Sequence, residues 1–263
     1  MLDRLNWAWR LVATALSFTC FGLGGVILWV VVFPVLSLLV RDRVRLSALA
    51  RGIIHQAFRA FIGLMHMLGI FTYEVHGLDK LRRQGLLILA NHPSLIDVVF
   101  LMSFTRHADC VVKAALVRNP FTRGPVLAAG FICNDTGPGM IEDSIASLRS
   151  GNNLIIFPEG TRTPTNGDAA KLQRGAANVA VRGGVDVTPV LIQCQPVLLP
   201  KGEPWWRVPE SRPHFRIEVC DDMPVAMPID GGPSEAQAAR RLTQQLTDYF
   251  AVETRREPRP ASA

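Results

Sequence analysis

The sequence predicts an α/β protein with a mostly parallel sheet flanked by helices, preceded by a hydrophobic membrane-anchoring helix and an amphipathic helix. Three observations predict it. From residue 71 onward, short apolar runs of strand length alternate with stretches of helical periodicity, the pattern of a parallel sheet covered on both faces. Residues 11 to 40 carry no charged side chain, and such a run exceeds the ~20 residues needed to cross a bilayer as a helix. Between the two, Gly52 to Ile70 repeats its apolar residues at helical spacing.

Composition narrows the function class. Charged residues are 19% of the chain and hydrophobic residues 49%, which is apolar for a soluble protein and points toward a membrane. A net charge of +6 and a pI near 9.4 suit nucleic acid or an anionic bilayer. The densest basic run, Arg41, Arg43, Arg45 and Arg51, directly follows the apolar stretch and is not interleaved with aromatics. That placement favours the bilayer and excludes nucleic acid as the expected partner. The five cysteines, Cys20, Cys110, Cys133, Cys194 and Cys220, are odd in number and scattered, with no C-x-x-C or Cys/His cluster. Neither a disulfide framework nor a metal site is expected, no cofactor is called for, and a reducing compartment is the natural home.

Taken in order, residues 1–70 read as a membrane anchor and an amphipathic helix. Trp7, Trp9 and Trp29 suit interfacial positions, and Pro34 ends or kinks the helix. The apolar run is longer than a signal-peptide core and no small-residue cleavage pattern follows it, so the anchor is expected to be retained. It either spans the bilayer or re-enters it, and its basic downstream flank places the bulk of the chain in the cytoplasm, at the inner membrane in a bacterium. In Gly52 to Ile70 the stripe is Ile54, Phe58, Phe61, Met65 and Leu68, with His55, Arg59 and His66 on another face. This helix lies on the membrane or packs on the domain.

Residues 71–252 read as the α/β domain. Strands are predicted at Phe71 to Val75, Leu86 to Ala90, Cys110 to Val112, Ala128 to Cys133, Asn153 to Phe157, Val185 to Ile192 and Phe215 to Val219. Helices are predicted from Val98, over Ile141 to Arg149, over Lys171 to Arg182 with Gly183-Gly184 closing it, and over Ser234 to Phe250. Residues 253–263 are polar and Pro-rich, a flexible tail.

The chemistry is expected at Asn91-His92-Pro93-Ser94-Leu95-Ile96-Asp97, between an apolar strand and the start of a helix, where open α/β sheets present reactive groups. Five positions apart, His92 and Asp97 do not share a helical face. They meet only if His92 sits in the turn and Asp97 reaches back from the first helical turn. A histidine steered by a carboxylate is a general base with a chosen tautomer. The alternative is a capping box, in which Asp97 merely satisfies the helix N-terminus. A second turn, Phe157-Pro158-Glu159-Gly160-Thr161-Arg162, closes another buried strand. Its arginine suits bidentate phosphate binding, and its glycine permits close backbone approach.

Together the two turns resemble the glycerolipid acyltransferase family, its bacterial 1-acylglycerol-3-phosphate acyltransferases in particular. Asn91, His92, Ser94 and Asp97 match the family's first motif, Phe157 to Arg162 match the third without gaps, and Val187-Thr188-Pro189-Val190 resembles the fourth. A weaker likeness takes in Lys113, Leu116, Pro120 and Gly124, then Lys171, Arg174 and Gly175. The second motif of the family carries an arginine assigned to the acceptor's phosphate, and Thr136 stands in its place here. The resemblance implies transfer of a fatty acyl group from an acyl carrier protein or coenzyme A thioester to a lyso-lipid hydroxyl. It gives His92 the role of base, with Asp97 fixing its tautomer. Glu159, Gly160, Thr161 and Arg162 would position the acceptor head group, with Lys113 or Arg174 as a second phosphate-binding cation. Two other classes stand beside it, a hydrolase using water and a non-catalytic lipid-binding protein.

Overall fold

A strand that is apolar on both faces can only lie in the middle of a covered sheet, and Leu87–Ala90, wholly buried, does so. The structure is a computed structural model describing residues 2–134, 138–164, 171–225 and 234–256. It opens with α1 (Leu2–Ile27), a π-helical turn (Leu28–Val32), α2 (Phe33–Leu39) and α3 (Arg43–Met67). The sheet domain follows as β1 (Thr72–His76), β2 (Leu87–Ala90), α4 (Asp97–Phe104), β3 (Ala108–Val112), α5 (Ala114–Arg118), α6 (Pro120–Ala129) and β4 (Ile132–Cys133). It is completed by α7 (Pro138–Arg149), β5 (Asn153–Ile156), α8 (Arg174–Gly183), β6 (Val187–Gln195), β7 (His214–Val219) and α9 (Glu235–Glu253).

The seven strands lie in the order β1-β7-β6-β2-β5-β3-β4. Strands β6, β2, β5, β3 and β4 are mutually parallel, while β7 runs antiparallel to β6 and carries β1 parallel to itself. Alternate residues feed two cores, as strand geometry requires. Ile88, Ala90, Ile155, Val190 and Ile192 pack with the α3 and α4 side, and Leu87, Leu89, Leu154, Ile156 and Leu191 with the α7, α8 and α9 side. The C-terminal ends of β2 and β5 adjoin at the point where chain order reverses, the place where such sheets bind ligands.

Two sequence expectations are corrected. The segment from Ala128 is not a strand: α6 runs from Pro120 to Ala129, Gly130 closes it at φ 66°, and only Ile132–Cys133 pairs with β3. The Asn119 side chain caps its start, accepting from Phe121 N–H, so start and stop signals overrode the apolar run. The helix expected from Gly52 begins at Arg43, capped by Asp42. Its stripe packs on the domain, with Ile54, Phe61 and Met65 buried, and His55 is buried too, its Nδ1 2.8 Å from Met102 O.

The apolar N-terminus is likewise bound to the domain. Residues Asp3–Leu39 form a helical stretch long and apolar enough to cross a membrane. At 1.5 Å per residue it is roughly 55 Å long, well beyond a ~30 Å hydrocarbon layer. Its tryptophans, expected at an interface, also tie it down. The Trp7 indole donates to Val208 O (3.0 Å) and that of Trp9 to Leu68 O (2.8 Å). Arg10 Nη2 donates to Pro209 O and Glu210 O. Further along, α1 and the π turn meet α6 so closely that a Cβ on Gly25 would lie 2.3 Å from Phe121 O, and one on Gly124 2.2 Å from Trp29 Cβ. The outward face, with Val12, Leu16, Leu23, Ile27, Val31 and Val35, stays exposed.

Those contacts set a prediction. Gly25→Ala and Gly124→Ala should each destabilise the protein by about 1–3 kcal/mol, the usual cost of overpacking. Gly24→Ala, whose Cβ meets nothing within 4 Å, should be neutral or slightly stabilising through helix propensity. Thermal unfolding in detergent checks this, and equal melting temperatures for all three would refute the tight anchor packing.

Candidate active site

The first turn is built as the motif spacing requires. His92 precedes α4, Asp97 is the first residue of that helix, and His92 Nδ1 lies 2.8 Å from Asp97 Oδ2. The same carboxylate oxygen accepts the Ser94 N–H at 2.6 Å. The carboxylate thus holds the imidazole and the turn ahead of α4 at once, while no side chain caps the helix itself. An ionised carboxylate only accepts, so Nδ1 carries the proton and Nε2 is left as the base. Asp97 is completely buried. Burial pushes its carboxyl up to about 6, against the downward pull of the His92 and Ser94 hydrogen bonds.

The second turn holds the first in place. Glu159 Oε1 accepts the His92 backbone N–H (3.0 Å) and the Thr163 hydroxyl (2.8 Å). Thr163 Oγ1 lies 3.2 Å from His92 N, and the Thr163 N–H donates to His92 O at 2.7 Å. The Phe157 ring stacks on the imidazole, with centroids 4.3 Å apart and planes inclined by 30°. On the other side, the Asn91 side chain exchanges two hydrogen bonds of 2.8 Å with Ile192 of β6. Gly160 turns the chain at φ 66°, a conformation that favours glycine. Burial raises the Glu159 carboxyl above its ordinary value. Asp97 Oδ1 and Glu159 Oε2 are both buried without a hydrogen-bond partner among the described residues.

The cations expected to bind phosphate are placed differently from one another. Arg162 Nη1 donates to Leu199 O (2.8 Å) and Pro200 O (2.9 Å), in the segment after β6. Its other N–H groups find no acceptor among the described residues. Lys113, at the end of β3, and Arg174, the first residue of α8, are exposed. Parallel pairing puts Lys113 on the same sheet edge as His92, two strands away, or roughly 10 Å at ordinary strand spacing. Thr161 is half-buried, and Thr136 lies outside the described residues. Sequence reasoning missed Thr163 and the structural use of Asn91 and Phe157. Thr163 has no local signal, since its partner His92 is 71 residues away.

Residues 72–193 match the family model described as Acyltransferase. That stretch, which runs from β1 into β6 and takes in both turns at the site, is similar to the family. Over 165 residues the chain is 29% identical to 1-acyl-sn-glycerol-3-phosphate acyltransferase of Pseudomonas aeruginosa, covering 60% of this chain and 64% of that one. It is 31% identical over 134 residues to lyso-ornithine lipid O-acyltransferase of the same organism, covering 49% and 51% respectively. The matched stretches thus span one half to just under two thirds of these relatives' lengths. The crystal structure of the 1-acyl-sn-glycerophosphate acyltransferase PlsC from Thermotoga maritima superposes with a TM-score of 0.67 at 20% identity, covering 98% of this chain and all of that one. This likeness establishes the shared fold of the sheet domain and its helical N-terminus.

The Asp97 environment makes a stability prediction with a definite sign. A carboxyl at about 6 in the folded protein, raised from 3.8, contributes stability that is full below the unfolded value and lost as pH rises through the folded one. At pH 7.5 the ionised carboxylate is therefore a net cost. Asp97→Asn should melt at the same temperature as the wild type or higher at pH 7.5, with the difference vanishing toward pH 3.8. A drop of several degrees at pH 7.5 would show instead that the charge on the carboxylate stabilises the folded protein.

Proposed function

We propose that this chain is an O-acyltransferase that moves a fatty acyl group from an acyl-carrier thioester, acyl carrier protein or coenzyme A, to the free hydroxyl of a lyso-glycerolipid. The acceptor is 1-acylglycerol-3-phosphate and the product phosphatidic acid, a step of phospholipid biosynthesis at the cytoplasmic face of a membrane. The observation that carries this reading is the 2.8 Å His92–Asp97 pair, with His92 half-buried at the strand ends of the sheet and Asp97 fully buried behind it.

In this mechanism His92 Nε2 takes the acceptor's hydroxyl proton as the oxygen attacks the thioester carbonyl carbon. The tetrahedral intermediate collapses by breaking the C–S bond, and the imidazolium returns the proton to the thiolate. Asp97 holds the tautomer and offsets the transient imidazolium charge. Because Glu159 and Thr163 fix the main chain at His92, they act on the base by positioning it. The outward apolar face of α1 lies against the bilayer, from which both lipid chains reach the site.

A second acceptor class is favoured by a specific observation. The Arg162 Nη1 donors are engaged by Leu199 and Pro200, and Thr136 replaces the arginine of the family's second motif. One of the similar relatives is named for a lyso-ornithine lipid acceptor, which fits an acceptor without a phosphomonoester. Phosphate usually wants more than one cation.

His92→Ala should lower turnover by a factor of ~10²–10⁴ without unfolding the protein, and Asp97→Asn should lose most activity through the wrong tautomer. Labelled acyl donor, offered with a panel of lyso-acceptors to solubilised protein, separates the readings by product. Acyl-lipid supports transfer, free fatty acid supports a hydrolase, and no product supports a binding protein. If 1-acylglycerol-3-phosphate is preferred, Lys113→Ala or Arg174→Ala should abolish that preference. A preference surviving both would remove these cations from the phosphate site.

A further inference from the structure

The connection between β6 and β7 carries a feature that the proposed reaction does not use. Its inner residues are well buried, with Leu198, Leu199 and Val208 at 0%, 3% and 5% exposure. Its two largest side chains are not: Trp205 and Trp206 are 43% and 57% exposed, adjacent in sequence, with rings perpendicular and centroids 5.6 Å apart. A segment that buries its leucines has no packing reason to leave two indoles outside. Tryptophan combines a large apolar surface with one N–H donor, which suits a boundary between hydrocarbon and water.

The neighbours of the pair identify that boundary. The Trp205 ring lies 6.2 Å from that of Phe18, in the uncharged stretch of α1. The same connection accepts hydrogen bonds from Trp7 and Arg10 of α1 at Val208, Pro209 and Glu210. The indoles thus lie beside α1, the helix whose opposite face is apolar and exposed. The charges around them leave a small positive excess, Arg4, Arg10, Lys201, Arg207 and Arg212 against Asp3, Glu203 and Glu210. Arg10 is buried on backbone carbonyls and Arg207 is paired to Glu203 at 2.8 Å, so little of that charge is free for an acidic protein, whereas a headgroup layer accommodates it. At the root of the connection, Arg162 holds Leu199 O and Pro200 O, tying it to the turn that supports His92.

We propose that the β6–β7 connection is a second membrane-contacting element. Trp205 and Trp206 seat in the headgroup layer of a bilayer beside α1, and Arg162 transmits that fixed depth to the active-site turn. The proposal rests on α1 facing the bilayer, but not on the identity of the reaction. Its test therefore reads lipid contact.

Full-length protein is compared with W205F/W206F and W205S/W206S on phosphatidylcholine vesicles, with and without bromine on the lipid acyl chains near the headgroup. The tryptophan emission that W205F/W206F removes should be strongly quenched by the brominated lipid. W205S/W206S should partition about tenfold more weakly, while W205F/W206F, which keeps aromatic bulk, stays near the wild type. Vesicle binding with that emission unquenched, or unchanged partitioning of W205S/W206S, would overturn the loop's role and leave α1 as the anchor. Failure of the wild type to bind vesicles would overturn both. A shift of that emission on adding a soluble acidic carrier protein, with no response to brominated lipid, would assign the surface to a protein partner instead.

Discussion

A buried carboxylate organises the site. Asp97 lies at the base of α4 with no solvent exposure and divides one oxygen between the Ser94 N–H of the preceding turn and the imidazole of His92. Burial of a charge is expensive unless hydrogen bonds offset it, and here they offset it only in part, since the carboxyl stays raised. The residual cost is tolerated because the rest of the turn is over-determined. Glu159, Thr163, Asn91 and Phe157 each fix a different part of the His92 neighbourhood. These supports come from β5, β6 and the turns that follow them, so the whole central sheet is enlisted to hold one imidazole.

That arrangement explains the tight link between fold and chemistry. Which imidazole nitrogen is paired is selected by a partner on the same turn, but the ring's position is selected by Phe157, Glu159, Thr163 and Ile192, all distant in sequence. A parallel sheet brings such distant turns to one edge. In a meander they would lie at opposite ends.

Much of the fold was legible because local periodicity and tertiary need agree. Leu86 to Ala90 and Leu154 to Phe157 are apolar throughout, and both lie in central strands. Ala128 to Cys133 misled for the opposite reason: a short apolar run fits a helix end as well as a strand, and Asn119, Pro120 and Gly130 carried the decision. At the site, the residues in the two turns were visible as motifs, and the His92–Asp97 contact follows from their spacing. Thr163 and the clamp of Asn91 on Ile192 were not visible, because a hydrogen bond across a sheet leaves no trace in either residue's neighbours. Arg162 shows a further limit. Its type fits phosphate, yet part of its guanidinium is used on two carbonyls whose location only the fold reveals.

The glycine contacts between α1, the π turn and α6 bear on how the chain can be divided. Ala13 and Phe33 are members of the same core as β2 and α4, and Phe121 and Trp29 meet backbone where side chains would otherwise keep helices apart. A cut after residue 40 would therefore run through a packed interior and not through a linker. The sheet domain would be left with an open flank of apolar surface. In this protein the hydrophobic N-terminus is a wall of the building and not a rope tied to it, so anchors from other proteins cannot be exchanged for it without rebuilding the face it covers.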